Sequence, residues 1–259
     1  MRRIMLTVAY DGTAYHGWAI QPGAVTIEET LNNVITELVG ENVEVIGASR
    51  TDAGVHALGN VAVFDTQSKI PGEKFAYALN ARLPKDIRVV SSKEVSLDFH
   101  PRKCEAQKTY QYRIYTGAIE NPLKRLYTHH VYTPINIEEM QKACAYFLGE
   151  HDFTSLCSVN AQALTRVRTI YELTVCKIDD EIIIEVSGNG FLYNMVRIIA
   201  GTLLEVGAGR RKAQDMEEMI SGCDRTLAGP TAPAKGLTLI GYEYFQKDRK
   251  NPVDTGKTL

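Results

Sequence analysis

The chain has 259 residues, enough for one large domain or two small ones, and its 44% hydrophobic and 23% charged content is that of a globular protein able to bury a core. No apolar run approaches the roughly 20 residues of a membrane helix, and the start, MRRIMLTVAYDGT, lacks the apolar h-region and small-residue cleavage site of a signal peptide. The formal net charge of −2 runs against a uniformly basic nucleic-acid-binding domain, and five cysteines (Cys104, Cys144, Cys157, Cys176 and Cys223) without C-x-x-C spacing run against a disulfide framework or a zinc site.

A reducing compartment, the cytoplasm, is the simple implication of that cysteine usage. The first element, RIMLTVAY, reads as a strand ending at Asp11-Gly12. TIEETLNNVITELVG reads as a helix. Ile27, Leu31, Val34, Ile35 and Leu38 share one face, Thr26 and Glu29 form a capping box, and Gly40 supplies the stop. VEVIGAS and NVAVF read as strands around the segment Arg50-Thr51-Asp52-Ala53-Gly54. GEKFAYALNARL, between Pro71 and Pro84, reads as a helix, and IRVVSSKEV as a strand. The order is β-α-β-β-α-β.

The order then repeats. KTYQYRIY is a strand, and NIEEMQKACAYFLG a helix capped by Asn136 and Glu139. RVRTIYELTVCKI and EIIIEVSG are strands joined at Asp179-Asp180. FLYNMVRIIAGTLLEVG is a long helix, KAQDMEEMIS a short one, and GLTLIGYEYF a closing strand. TIEE…LVGE in the first half is echoed by NIEE…FLGE in the second. The expected fold is α+β: two duplicated β-α-β-β-α-β halves of the ferredoxin or RRM-like kind, with antiparallel sheets joined around a central cleft. The expected divisions are 1–106 and 107–246, linked through 97–108, with 247–259 as a loose tail.

Chemistry concentrates in a few places. Asp52 follows Arg50 and Thr51 in a loop between apolar strands. An aspartate there either forms an Asx turn near Gly54 or is held ionised for a reaction. Arg197 is the one charge in FLYNMVRIIAGTLL, a helix apolar nearly all round. It needs a route to solvent, a partner such as Glu205, or a carboxylate across the cleft, for which Asp52 is the candidate. Tyr110 is either a core ring, a base-stacking ring or a proton carrier. From Arg102 to Arg125 the bases Arg102, Lys103, Lys108, Arg113, Lys124 and Arg125 interleave with Tyr110, Tyr112 and Tyr115, a pattern that suits a nucleic-acid surface or a solvated strand face. His151-Asp152 could be a dyad, though a loop whose Phe153 enters the core fits better. SGNGF ahead of a helix is a weak phosphate seat. Trp18 reads as a core anchor.

GASRTDAGVHALGNVAVF resembles the signature of the tRNA pseudouridine synthase A (TruA) family, in which a strand–loop–strand carries R-T-D-x-G-V-H-A-x-G-Q-V. The resemblance extends through AYDGTAYHGWAIQ, KTYQYRIY, HDFTSLC, RVRTI, GFLYNMVRIIAGTLLEVG and TAPAKGLTLIGYEY, in the right order. Asn60 stands where the family often has Gln, and Ala19 likewise. The resemblance implies isomerisation of uridine to pseudouridine at positions 38 to 40 of the tRNA anticodon stem-loop. It implies a homodimer, no metal and no organic cofactor. It places the family's aspartate on Asp52, its active-site tyrosine on Tyr110, its salt-bridging arginine on Arg197 and the signature arginine on Arg50, with Leu239 in the apolar wall and Lys108 among the substrate-binding residues.

Two other classes stand beside it. A non-catalytic RNA-binding protein of tandem RRM-like modules would share the fold, but no strand carries the RNP1 aromatic pattern. A small-molecule hydrolase using Asp52 or His151-Asp152 would act without RNA, and it explains neither Arg197 nor the basic stretch.

Overall fold

The computed structural model describes residues 1–158, 164–246 and 249–252. In chain order the elements are β1 (Arg2–Tyr10), α1 (Ile27–Val39), β2 (Ile46–Gly47), β3 (His56–Thr66), α2 (Phe75–Asn80), β4 (Ile87–Val95), β5 (Ala106–Tyr115), β6 (His129–His130), α3 (Ile137–Cys144), β7 (Gly149–Asp152), β8 (Val167–Ile178), β9 (Glu181–Gly188), α4 (Met195–Gly207), α5 (Asp215–Ser221), β10 (Leu237–Gln246) and β11 (Arg249–Pro252). Two compact units result: Met1–Ala106 with the chain from Leu239 onward, and Gln107–Thr238. Each is built on a mostly antiparallel sheet with few helices. Most of the closing strand, placed in the second half by sequence order, therefore packs with the first unit.

In the first unit β1 lies between β3 and β4, antiparallel to both, and β2 and β10 also pair with β3. Ile4, Leu6 and Val8 alternate along β1 and are fully buried, the period-2 pattern of a strand with one face on a core. The helix α1 forms as its ends dictate. The Thr26 side chain accepts from the Glu29 N–H, and Gly40 closes the last turn at φ 71°. It buries Ile27, Leu31 and Ile35, each worth about 1.5–3 kcal/mol against exposure. The helix α2 is shorter than its sequence suggests, because Gly72–Lys74 takes a 3₁₀ turn ahead of it. Asn80 ends it by clamping β4: its amide donates to the Val89 carbonyl and accepts from the Val89 N–H, both at 2.8 Å. Phe75 meets Phe64 of β3 edge-on, at 5.4 Å between ring centres.

In the second unit the strand order is β5-β9-β8-β7, with β6 parallel to β5. The β8–β9 hairpin turns at Asp179, which adopts φ 52°. The Asn136 side chain caps α3 by accepting from the Glu139 N–H. The helix α4 starts at Met195 rather than Phe191, because Asn194 takes the left-handed conformation at φ 62° and interrupts any earlier turn. From Met195 to Gly207 only Arg197 and Glu205 escape full burial, as an apolar helix requires. His151 and Asp152 were expected in a loop. They lie in β7, whose pairing with β8 carries Asp152 opposite Val167, while Phe153 enters the core as expected. Within the stretch read as a tail, Arg249–Pro252 returns along β10 as β11. The rest of that stretch, 247–248 and 253–259, lies outside the described residues.

Candidate active site

Between β2 and β3 the chain leaves the sheet and returns, and the detour carries Arg50, Thr51 and Asp52. A tight turn closes it. The Val55 N–H donates to the Asp52 carbonyl at 3.1 Å, and Gly54 takes φ 77° in the turn, a conformation that selects glycine. The segment Tyr15–Trp18 packs against this loop. The Trp18 N–H donates to the Thr51 carbonyl (3.0 Å) and the Gly54 N–H to the Tyr15 carbonyl (3.3 Å). Gly17, at φ 89°, lies so close that a Cβ would stand 2.5 Å from the Thr51 oxygen. Below the loop Trp18 is wholly buried, an anchor as its sequence context suggested.

The side chains sort by depth. Arg50 is exposed, Asp52 half-buried and Thr51 buried, and Leu239 of β10 is fully buried in the same unit. A polar network underlies the loop. The Asn60 amide brackets the backbone of Ser49, Tyr10 Oη lies 2.7 Å from Thr51 Oγ1, and Tyr242 donates to the Ser49 hydroxyl. Sequence inspection does not find this network, because its members come from β1, β3 and β10, far apart in the chain. The one signal on offer was the Asn60 departure from the family pattern.

In the second unit Lys108 and Tyr110 are two apart on β5 and so share a face with Tyr112. Tyr110 is 8% exposed and meets Phe191 edge-on at 5.3 Å. Lys108 is half-buried. Tyr112 donates to the Pro233 carbonyl; burial pushes its phenol well above the ordinary value, and the nearby positive charge of Arg197 pulls the other way. The Arg197 guanidinium is aimed by two bonds, Nε to the Ala232 carbonyl and Nη1 to Asn194 Oδ1, both 2.8 Å. The Ala232 N–H returns a bond to the Arg197 carbonyl. The alternative partner Glu205 is instead engaged by Arg211 at 2.5 Å.

The basic and aromatic residues from Arg102 to Arg125 differ in exposure and in partners. Tyr112 is fully buried and Tyr110 nearly so. Arg113 and Lys124 both close on the carboxylate of Glu181, at 2.6 Å each. Arg102 donates to the Gly47 carbonyl. The period-2 burial of β5 turns every second residue inward, which an ungapped count of bases and rings does not register. His151 and Asp152 do not act on each other in the bonds they make here: His151 Nε2 bonds the Leu148 carbonyl and Asp152 caps Thr154. At the start of α4 the Asn194 amide turns to Ser158 and Arg197. Among the described residues no group of three or more His, Cys, Asp and Glu side chains could hold a metal ion, and no helix is long and apolar enough to cross a membrane.

The sequence profile of the family described as tRNA pseudouridine synthase matches residues 6–102 and 143–244. The chain belongs to this family. It is 51% identical over 245 residues to the tRNA pseudouridine synthase A of Ruminiclostridium cellulolyticum, covering 94% of this chain and all of the relative. Its identity to the enzyme of that name from Thermoanaerobacter sp. (strain X514) is 49% over 244 residues, with 94% and 100% covered. Among solved structures, a chain of a Cbf5-Nop10-Gar1 complex is similar at 15% identity and a TM-score of 0.34, over 78% of this chain and 45% of that one, a likeness too slight to carry an argument. The family profile spans Arg50, Asp52, Arg197 and Leu239. Lys108 and Tyr110 fall between its two matched segments.

Proposed function

We propose that this protein isomerises uridine to pseudouridine in the anticodon stem-loop of tRNA, at positions 38 to 40, with Asp52 as the reacting carboxylate. The observation that carries this is the Asp52 loop: a half-buried carboxylate on a turn pinned from several sides, inside a segment that matches the tRNA pseudouridine synthase profile. A uridine in a stem cannot rotate, so it is first flipped out, at about a few kcal/mol. The N1–C1′ bond breaks, C5 takes its place on C1′, the C5 proton leaves and N1 gains one. No atoms are added, so neither an activated donor nor a cofactor is called for.

Asp52 acts at the sugar, as nucleophile toward C1′ or as base. Arg197 keeps that carboxylate ionised, with a guanidinium already oriented by Ala232 and Asn194. Tyr110 stacks on the flipped uracil and assists the C5 proton. Arg50, exposed, fills the gap in the stem or binds a phosphate; Lys108 binds backbone phosphate, and Leu239 backs the base. On this proposal the chain repeats one β-α-β-β-α-β plan, and the protein works as a homodimer in the cytoplasm. The decisive experiment measures tritium release from tRNA labelled at uracil C5. Asp52→Ala abolishes release while the protein stays folded and retains tRNA on a filter. Full release by that variant ends the proposal.

A further inference from the structure

We propose that Asn60, through Tyr10 and Thr51, is a positioning residue that holds the backbone of the Asp52 loop in its reactive place. This rests on Asp52 being the reacting carboxylate. The ladder between β2 and β3 runs Ile46 opposite Val63 and Gly47 opposite Ala62, and continues with the Ala48 N–H donating to the Val61 carbonyl at 2.7 Å. The next rung pairs Ser49 with Asn60, and there a side chain stands in for backbone. The Ser49 N–H donates to Asn60 Oδ1 (3.3 Å), and Asn60 Nδ2 donates to the Ser49 carbonyl (3.1 Å). An amide side chain of this length reproduces a peptide group at the point where the strand has to let go.

The second hydrogen on Nδ2 goes to Tyr10 Oη at 3.3 Å. The same phenol oxygen lies 2.7 Å from Thr51 Oγ1, a bond in which either hydroxyl can be the donor. Asn60, Tyr10 and Thr51 are all buried, so water does not substitute for these bonds. The chain of bonds therefore runs from a fixed strand position to the residue that immediately precedes Asp52. Asn60 pairs with Val8 beside the register shift between Val8 and Tyr10. None of these side chains reaches substrate; they act through the loop.

The test uses the full-length protein and a tRNA transcript, with kcat and KM measured separately and the thermal midpoint recorded. Tyr10→Phe and Thr51→Val each cut the link while keeping shape. Both are expected to lower kcat about tenfold or more, in line with the roughly hundredfold effect of a 1 Å misplacement, while KM stays within about twofold. Thr51→Ser, which keeps the hydroxyl, restores most of the loss. Asn60→Leu is expected to show the same kcat-only loss if it folds; if it does not, the other variants decide. Wild-type kcat in both Tyr10→Phe and Thr51→Val overturns the proposal, as does a loss that Thr51→Ser fails to restore or one matched by a rise in KM. An active wild type and an inactive Asp52→Ala beside unimpaired Tyr10→Phe and Thr51→Val refutes positioning alone. An active Asp52→Ala refutes the functional assignment instead.

Discussion

Gly12 offers a direct way to move the Asp52 loop by a known amount. A Cβ on Gly12 would lie 2.1 Å from the Val55 carbonyl oxygen and 2.7 Å from its carbon. A carbon and an oxygen approach comfortably at about 3.3 Å, so Gly12→Ala must push the Val55 peptide away by about 1.2 Å. The Val55 N–H is bonded to the Asp52 carbonyl, so the displacement passes to the turn that carries the carboxylate. Misplacement on this scale costs about a hundredfold in rate, or about 2.7 kcal/mol of barrier. The accompanying overpacking destabilises the fold by about 1–3 kcal/mol, a few degrees of melting temperature for each kcal/mol at this chain size. The assay is single-turnover pseudouridine formation with enzyme in excess, beside filter binding of tRNA and a thermal melt. The expected outcome is a rate loss near hundredfold in a folded protein that still binds tRNA. A folded Gly12→Ala variant at wild-type rate would refute the view that the Val55 contact sets the position of Asp52.

Three further outcomes are expected. Burial pushes the Glu181 carboxyl upward, but bonds from Lys124 and Arg113 outweigh it and hold the group below the ordinary carboxylate range. Its contribution is therefore present above the unfolded value of about 4.3 and lost as pH falls through the lower folded value. Glu181→Gln should lower the melting temperature at pH 7 by a few degrees, with the difference shrinking below about pH 4; an equal difference at pH 3 refutes it. Phe153→Ala removes a fully buried ring and should cost about 3–5 kcal/mol in a urea titration, a loss below about 1 kcal/mol marking a site that collapses without a cavity. With a net charge of −2, tRNA affinity must rest on local basic groups, so log K should fall linearly with log salt; a flat line contradicts that.

The local parts of the fold were readable because their causes are local. The Thr26 and Asn136 caps, the Gly40 stop and the Asp179 turn depend on residues within a few positions of one another. The strand β7 was missed because Gly-Glu-His-Asp carries no apolar alternation; it exists because β8 offers it an edge. The ion pairs of Arg113 and Lys124 were not legible in the basic and aromatic stretch because Glu181, which gathers both, lies more than fifty residues away.

At the site, the residue types marked the candidates. An Arg-Thr-Asp-Ala-Gly loop between apolar strands, and one arginine in an apolar helix, were visible as charges that need a reason to be there, since an unpaired charge is costly to bury. Residue order alone thus singled out the groups proposed to carry the reaction and most of the helices and strands that flank them. Tertiary structure decided how those groups are held. Gly17 against Thr51 and Ala232 aiming Arg197 are pairings across more than thirty residues, and Asn60 completes the rung at Ser49 from eleven residues away. A hydrogen bond of about 3 Å has no signature in a linear order when its donor and acceptor meet only after the chain has folded.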